Sequence, residues 1–220
     1  MSSLKPIVTY GKAGPNPPKV IMVLEELQLP YHAEATPFTD LKKPEFLAIN
    51  PNGRMPAIHD PNTDITLWES GAIIEYLVEQ YDTEHKISFE KGSKEYYLAK
   101  QWLFFQVSGQ GPYYGQAAWF TKYHPEQIES AKERYYAEIK RVTGVLEGHL
   151  AKQDKGGDGP WLVGGKFSYA DLAFVPWQQM AMAFFAEQVD LSEFKEVKGW
   201  MERLMARPSI GPVMQAAFQH

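Results

Sequence analysis

Short apolar stretches alternate with amphipathic ones along the first part of the chain. Four of the stretches are short, apolar and bounded by turn residues, which is the pattern of strands. They are residues 7–10, 31–36, 55–59 and 65–68. Three others repeat their apolar positions at helical spacing. They are residues 19–29, 44–49 and 69–81. The predicted order is β-α-β-α-β-β-α, which indicates an α/β domain.

The pattern changes in residues 82–93, which are polar and aperiodic and are typical of a linker. Beyond them no stretch has a strand pattern, and the apolar positions recur at helical spacing. Ser168, with Asp171 three residues later, is the signature of a capping box that begins a helix. The sequence therefore predicts an α/β domain over residues 1–83 and an all-helical domain over residues 94–220.

Composition limits the partners and the chemistry that this chain can use. The net charge is −5, so the overall field does not attract nucleic acid. The chain has no cysteine, which excludes a disulfide framework, a zinc site built on thiolates and a thiol nucleophile of the protein itself. We expect no bound metal, and any thiol chemistry must use a thiol that arrives from outside.

The sequence carries no pattern typical of export or membrane insertion. Its N-terminus lacks the charged stretch and apolar run of a secretory signal. No apolar run approaches the roughly 18 residues that a membrane-spanning helix needs. We therefore expect a cytoplasmic protein without a membrane partner.

Three short patterns carry candidate chemistry, and the first is Arg54-Met55-Pro56, just before a predicted strand. A cis bond before the proline would turn the backbone outward. Met55 would then pair its N–H and C=O groups with a bound peptide, as an added strand does. The alternative is a proline that only begins the strand.

The second pattern is Glu69-Ser70, at the start of a predicted helix. Backbone N–H groups and a serine hydroxyl at a helix start bind a carboxylate, and a neighbouring glutamate binds an ammonium. The third is Asn16, whose amide can donate toward a bound thiol from a loop stiffened by the flanking prolines. Taken alone, each pattern is better explained by helix capping or turn formation.

Together, the three patterns lie in stretches that resemble glutathione transferases. These are NPNGRMPA at residues 50–57, WESGAI at residues 68–73 and WLVGGKFSYADLA at residues 161–173. Two further stretches are similar to one branch, that of the nitrogen-regulator-like fungal transferases and the bacterial nu class. They are GPNPPKV at residues 14–20 and WLFFQVSGQGP at residues 102–112. The resemblance covers nearly the whole chain.

The resemblance implies a thioredoxin-like N-terminal domain, an all-helical C-terminal domain and a homodimer. It also assigns six residues to a glutathione site. They are Asn16 at the sulfur, Arg54 and Met55 along the tripeptide, Glu69 and Ser70 at the γ-glutamyl end, and Arg134 from the partner subunit. Asp171 carries over as a folding residue without a catalytic role.

Three positions modify this assignment. Leu41 stands where relatives often have a polar residue, so one glutathione contact is expected to be absent. Gly14 stands where some bacterial members have a threonine, which removes a second donor to the sulfur. Tyr10 lies near the activating position of tyrosine-type transferases and is the rival of Asn16. Four aromatic residues either wall a second-substrate pocket or belong to the core. They are Tyr113, Tyr114, Trp119 and Phe120.

The resemblance implies that bound glutathione, as co-substrate, attacks a disulfide, a peroxide or a carbon electrophile through its thiolate. A neutral N–H donor lowers the thiol pKa only modestly from about 8.5. Two alternatives stay open: a non-catalytic glutathione-binding regulatory module, and a carrier of apolar ligands. The short segment before the first predicted strand has no Asn/Gln-rich arm, which favours an enzyme over a regulator.

Overall fold

The computed structural model describes residues 4–157 and 159–217, and these divide into two units. The first unit runs from residue 4 to residue 88 and takes in residues 206–217. The second unit is the helical chain between them, beginning at Phe89.

Four strands form one mixed sheet in the first unit, in the order β2-β1-β3-β4. They are β1 (Ile7–Tyr10), β2 (Tyr31–Glu34), β3 (Ala57–Asp60) and β4 (Ile65–Trp68). β1 is parallel to β2 and antiparallel to β3, and β3 is antiparallel to β4. The helices of this part are α1 (Pro17–Glu26), α2 (Pro44–Leu47) and α3 (Ser70–Tyr81), with a 3-10 turn at Phe38–Asp40. The predicted β-α-β-α-β-β-α order and the thioredoxin-like class are confirmed.

α1 begins at Pro17 and ends at Glu26, whereas the apolar spacing predicts residues 19–29. The early start is physically allowed because Pro17 and Pro18 occupy the first two helical positions, which need no N–H donor. The early end has a local cause: Gln28 has a φ of 53°, in the left-handed region that follows many helix ends.

Helices α1 and α3 pack against each other and supply much of the core of the first unit. Their fully buried apolar side chains recur at helical spacing. They are Val20, Val23 and Leu24 on α1, and Ile73, Ile74 and Leu77 on α3. Complete burial of each such side chain contributes about 1.5–3 kcal/mol. This packing fixes where both helices begin.

The strand register brings three chain segments to one end of the sheet. Tyr10 pairs with Ala57, and Ala57 pairs with Trp68. The carboxyl ends of β1 and β4 therefore flank the amino end of β3. α1 follows β1 after a short loop, and α3 follows β4 directly, so both helices start from this end.

The last helix, α9 (Gly211–Ala217), belongs to the first unit and packs on α1. Arg207 holds Glu26 on α1 with two parallel hydrogen bonds, of 2.7 Å from Nε and 3.0 Å from Nη2. The prediction grouped all of residues 94–220, because nothing in the local pattern relates positions 181 residues apart.

The second unit contains helices α4 (Lys94–Phe105), α5 (Gly111–Ala118), α6 (Glu129–Leu150), α7 (Tyr169–Phe184) and α8 (Lys195–Met205). After Trp68, the described residues contain no strand, as predicted. The apolar spacing of residues 125–150 predicts one long helix, and α6 begins four residues later, at Glu129. Two π-helical turns flank α5, at Gln106–Gln110 and Trp119–Tyr123.

Asp171 is the polar centre of the second unit and confirms the predicted capping box at the start of α7. Its side chain is fully buried. Leu162 N–H and Trp200 Nε1–H donate to Oδ1 at 2.9 and 3.0 Å, and Ser168 N–H and Oγ–H donate to Oδ2 at 3.0 and 3.1 Å. Burial raises the Asp171 pKa to about 6, while the hydrogen bonds act to lower it.

Candidate functional site

Asn16 occupies the N-cap position of α1, and its side chain makes no capping hydrogen bond. The reason lies in the next three residues. Pro18, at the second helical position, has no N–H, and the N–H of Lys19 donates to the Asn16 backbone carbonyl at 3.2 Å. The Asn16 amide is therefore not used to cap the helix, although its position is that of a cap.

The Met55–Pro56 peptide bond is cis. A compact turn holds the chain just before it. Asn50 is buried, its Nδ2 donates to the Arg54 carbonyl at 2.7 Å, and its Oδ1 accepts from Asn52 N–H at 2.9 Å. Gly53 has a φ of 60°, and a Cβ there would lie 2.6 Å from the Leu41 carbonyl oxygen, so this turn requires glycine.

The loop after β1 touches Met55. Gly11 has a φ of 100°, and a Cβ there would lie 2.9 Å from both Cβ and Cγ of Met55. No larger residue fits at position 11 without displacing Met55. Glycine thus allows the loop that leads to Asn16 to approach the cis-proline turn closely.

Glu69 and Ser70 lie where β4 becomes α3. Glu69 is exposed and has a φ of 72° and a ψ of 115°, a backbone conformation that non-glycine residues rarely adopt. Such outliers cluster at functional sites. Ser70, the first residue of α3, is buried, and the first turn of α3 contains no acidic side chain. The positive end of this 12-residue helix is therefore not neutralised by an acid within its first turn.

Lys19 is a feature that the sequence interpretation missed. Its side chain is 1% exposed, and burial lowers its pKa to about 7, an effect that the Glu69 carboxylate partly opposes. The signal was present in the helical spacing, because position 19 precedes the buried residue Val23 by four and so lies on the same face of α1. A lysine in that position is rarely buried without a partner.

Three other candidates lie in or beside the first unit's site. Arg54 is exposed. Tyr10 is half-buried, and its ring meets that of Phe46 edge-on, with centroids 6.5 Å apart. Leu41 is buried, in keeping with a packing role. Exposed Phe38 lies 3.9 Å from the position that a Cβ on Gly14 would occupy, so it borders the loop before α1.

The second unit holds Arg134 and the aromatic candidates. Arg134 is exposed on α6, with its guanidinium 6.0 Å from the centre of the Tyr135 ring. Tyr114 is fully buried and its hydroxyl bonds with Thr143 at 3.0 Å, so it belongs to the core. Trp119 is 47% exposed. Phe120 and Tyr113 are partly buried and both contact the ring of Tyr135.

The part of the chain that the structure describes holds neither a metal-binding cluster of side chains nor a membrane-spanning helix. Within residues 4–157 and 159–217, no group of three or more histidine, aspartate or glutamate side chains is placed to hold a metal ion. In the same ranges no helix is both long enough and apolar enough to cross a membrane.

The first unit brings Asn16, Met55, Glu69 and Ser70 to one end of a thioredoxin-like sheet, and a helical unit follows. This arrangement defines the class of glutathione transferases. Residues 13–80 match the family profile for the glutathione S-transferase N-terminal domain, and residues 112–208 match that for the C-terminal domain.

Individual relatives also belong to the glutathione transferase family or resemble it. The glutathione S-transferase-like protein tpcF of Aspergillus fumigatus is 56% identical over 222 residues, which cover 99% of each chain. The transcriptional regulator URE2 of Saccharomyces cerevisiae is 35% identical, over 90% of this chain and 64% of its own. The structure of glutathione transferase URE2P6 from Phanerochaete chrysosporium with oxidized glutathione is 48% identical, with a TM-score of 0.86 and 96% of both chains covered. The chain therefore belongs to the glutathione S-transferase family, and the predicted fungal nitrogen-regulator-like branch is confirmed.

Proposed function

We propose that this protein is a glutathione-dependent transferase in which Asn16 assists the thiolate of bound glutathione, with disulfide reduction as its principal reaction. The observation that carries the proposal is an asparagine at the start of α1, in a chain without cysteine, whose amide is not used as the helix cap. Asn16 stands at the positive end of the helix, where an amide N–H and the helix dipole both favour a thiolate. The nucleophile must come with the ligand.

Glutathione fits the residues at this end of the sheet. The backbone of Met55 would pair with the tripeptide, and Arg54 would lie along it. The α3 start at Ser70 would receive the γ-glutamyl carboxylate, and exposed Glu69 would receive the α-ammonium. Arg134 would contribute from the partner subunit of a homodimer.

The proposed reaction balances without a protein thiol. The thiolate of the first glutathione attacks one sulfur of a disulfide, forms a mixed disulfide and releases the other half as a thiolate. The thiolate of a second glutathione attacks the glutathione sulfur of the mixed disulfide. Two glutathione molecules are oxidised to glutathione disulfide, and the substrate takes up two electrons and two protons. Oxidized glutathione in the URE2P6 structure is the product that such a reaction leaves.

Turnover of hydroxyethyl disulfide with glutathione at neutral pH tests the proposal. We expect the native chain to be active and Asn16→Ala to lose activity by about ten-fold or more, because one donor to the charged sulfur is removed. Asn16→Asp is the matched variant, since it keeps the size of the side chain, replaces the donor with an acceptor and should be at least as impaired. Unchanged turnover in both variants would refute the role of Asn16.

A second candidate function is non-catalytic, because one relative is a transcriptional regulator. In that case the protein binds glutathione or carries apolar ligands without chemistry. Saturable glutathione binding, with no turnover of a disulfide, a hydroperoxide or a carbon electrophile, would favour it. Turnover of a hydroperoxide or a carbon electrophile, without disulfide reduction, would keep the transferase and change its substrate.

A further inference from the structure

Lys19 is in an unfavourable place for a cation. Its side chain is 1% exposed, and lysine is almost never buried so completely unless it is paired. It is also the third residue of α1, at the helix end that carries positive partial charge. Burial and the helix dipole both oppose a charge there, so a protonated Lys19 needs a compensating anion.

The group that acts in favour of the charge is Glu69. Burial lowers the pKa of Lys19, and the Glu69 carboxylate acts in the opposite direction. Lys19 lies in the first turn of α1, and Glu69 lies directly before α3. The two helices pack against each other and start from the same end of the sheet, so their starts lie on the same side of the unit. Glu69 also holds the rare backbone conformation with a φ of 72°. Glu69 thus combines a strained backbone conformation with a carboxylate that favours the buried charge of Lys19.

We propose that Lys19 is a positioning residue, whose buried side chain holds the Glu69 carboxylate in the orientation that receives the α-ammonium of glutathione. This inference rests on the proposed function, because it deepens the role of Glu69 at the γ-glutamyl end. A carboxylate has about four lone-pair sites, so it accepts from Lys19 and from a ligand ammonium together. Glu69 is exposed, so its carboxylate is accessible to a ligand.

The test uses S-hexylglutathione, a thioether that carries the γ-glutamyl group but no ionisable thiol. Its Kd, measured by titration calorimetry, reports the γ-glutamyl site without thiol activation. We expect Lys19→Met to weaken binding about ten-fold, equivalent to about 1.4 kcal/mol. KM for glutathione rises with it, and kcat of a disulfide reductase changes less than about three-fold. Lys19→Arg keeps the charge and should retain most of the affinity.

A double-mutant cycle shows whether Lys19 acts through Glu69. Glu69→Gln should weaken S-hexylglutathione binding, and adding Lys19→Met to it should cost less than about two-fold more. The thermal midpoint of Lys19→Met should equal or exceed that of the native chain, because a buried charge is replaced by an apolar side chain of similar size. Lys5→Met removes an exposed lysine of the same unit and should leave Kd unchanged.

Several outcomes would overturn the inference. The first is a Kd for S-hexylglutathione in Lys19→Met equal to that of the native chain. The second is an effect of Lys19→Met on Kd that is as large in the Glu69→Gln background as in the native chain. The third is a fall in kcat of Lys19→Met with unchanged Kd, which would place Lys19 at the sulfur. A lowered thermal midpoint of Lys19→Met, with Lys19→Arg also unable to restore affinity, would make the lysine structural. Binding of S-hexylglutathione by the native chain without any turnover would refute the proposed enzyme and leave the Lys19 inference standing.

Discussion

Replacing Asp171 tests how much one buried carboxylate contributes to the helical unit. Four donors converge on it, two on each oxygen. In Asp171→Ala the hydroxyl of Ser168 can turn to another partner, but three buried N–H groups are left unpaired. Each costs about 1–3 kcal/mol, so the loss should be about 3–9 kcal/mol. That is comparable to the whole stability of a typical domain.

Asp171→Asn should lower the free energy of unfolding less than Asp171→Ala does, because an amide can keep part of the hydrogen bonding. The new amide fits best with its oxygen at the Oδ1 position, where it still accepts from Leu162 and Trp200. Its NH2 group then faces the Ser168 N–H, and the Ser168 hydroxyl can rotate to accept. The Ser168 N–H is then the one buried donor left without an acceptor, which predicts a loss of about 1–3 kcal/mol in the free energy of unfolding. Asp190→Asn is the matched control, because Asp190 is exposed and receives one backbone N–H, that of Ser192.

Urea unfolding at neutral pH measures these losses, followed by tryptophan fluorescence and far-UV circular dichroism. The two probes must coincide for a free energy of unfolding to be defined. We expect the order native, Asp171→Asn, Asp171→Ala, with Asp190→Asn unfolding at the native midpoint. Equal stability of the native chain and Asp171→Ala would refute the reasoning, as would an Asp171→Asn loss no larger than that of Asp190→Asn.

The difference in stability between the native chain and Asp171→Asn should depend on pH. Burial raises the Asp171 pKa to about 6, so between about pH 4 and 6 the folded state keeps a proton that the unfolded state has released. The resulting stability is present at low pH and is lost as the pH rises through 6. Asparagine does not titrate, so the gap between the native chain and Asp171→Asn should be wider at about pH 4.5 than at pH 7, by about 2 kcal/mol. A smaller difference at about pH 4.5 than at pH 7 would mean that the hydrogen bonds lower the Asp171 pKa more than burial raises it.

Three further predictions concern the first unit. Gly53→Ala should lower the free energy of unfolding by about 1–3 kcal/mol and weaken S-hexylglutathione binding, because its Cβ meets the Leu41 carbonyl and its φ is positive. Gly92→Ala is the control, because Gly92 has a φ of 88° but open space around it. It should lower the free energy of unfolding less and leave the Kd for S-hexylglutathione unchanged. Arg207→Ala should cost about 1–3 kcal/mol in urea unfolding, because it leaves the Glu26 carboxylate mostly buried without its bidentate partner. Tyr10→Phe should keep most of the disulfide reductase activity, and a loss as large as that of Asn16→Ala would favour the tyrosine mechanism.

The strands and helices near the candidate site could be predicted because their signals are local. Two strands, Ile7–Tyr10 and Ile65–Trp68, have the predicted bounds, since turn residues border them. Helix ends were less accurate, because their limits depend on the backbone angles of single residues such as Gln28. The local pattern predicts Glu69 at a helix start and Asn16 in the loop before the first helix. The structure has Glu69 at the N-cap of α3, and Asn16 at the N-cap of an α1 that begins earlier than predicted.

Features that depend on distant partners could not be predicted. The register that sets Tyr10 opposite Ala57, and Ala57 opposite Trp68, arises from pairing between segments far apart in the chain. The attachment of α9 depends on Arg207 and Glu26, whose local sequences give no sign of each other. Lys19 looked like an ordinary helix lysine, since its burial is decided by the packing of α1 on α3.

The overall charge of this protein is negative, and we propose that the local charges at the candidate site decide which ligand binds there. The chain carries a net charge of −5, whereas glutathione is an anion at neutral pH. Charges further away than the Debye length of about 8 Å at physiological salt are largely screened. At the candidate site, two helix starts have first turns without an acidic side chain, and Lys19 is buried in the first turn of α1. On the proposed function, the anionic tripeptide meets these positive helix ends, while the exposed carboxylate of Glu69 selects a ligand that also carries an ammonium.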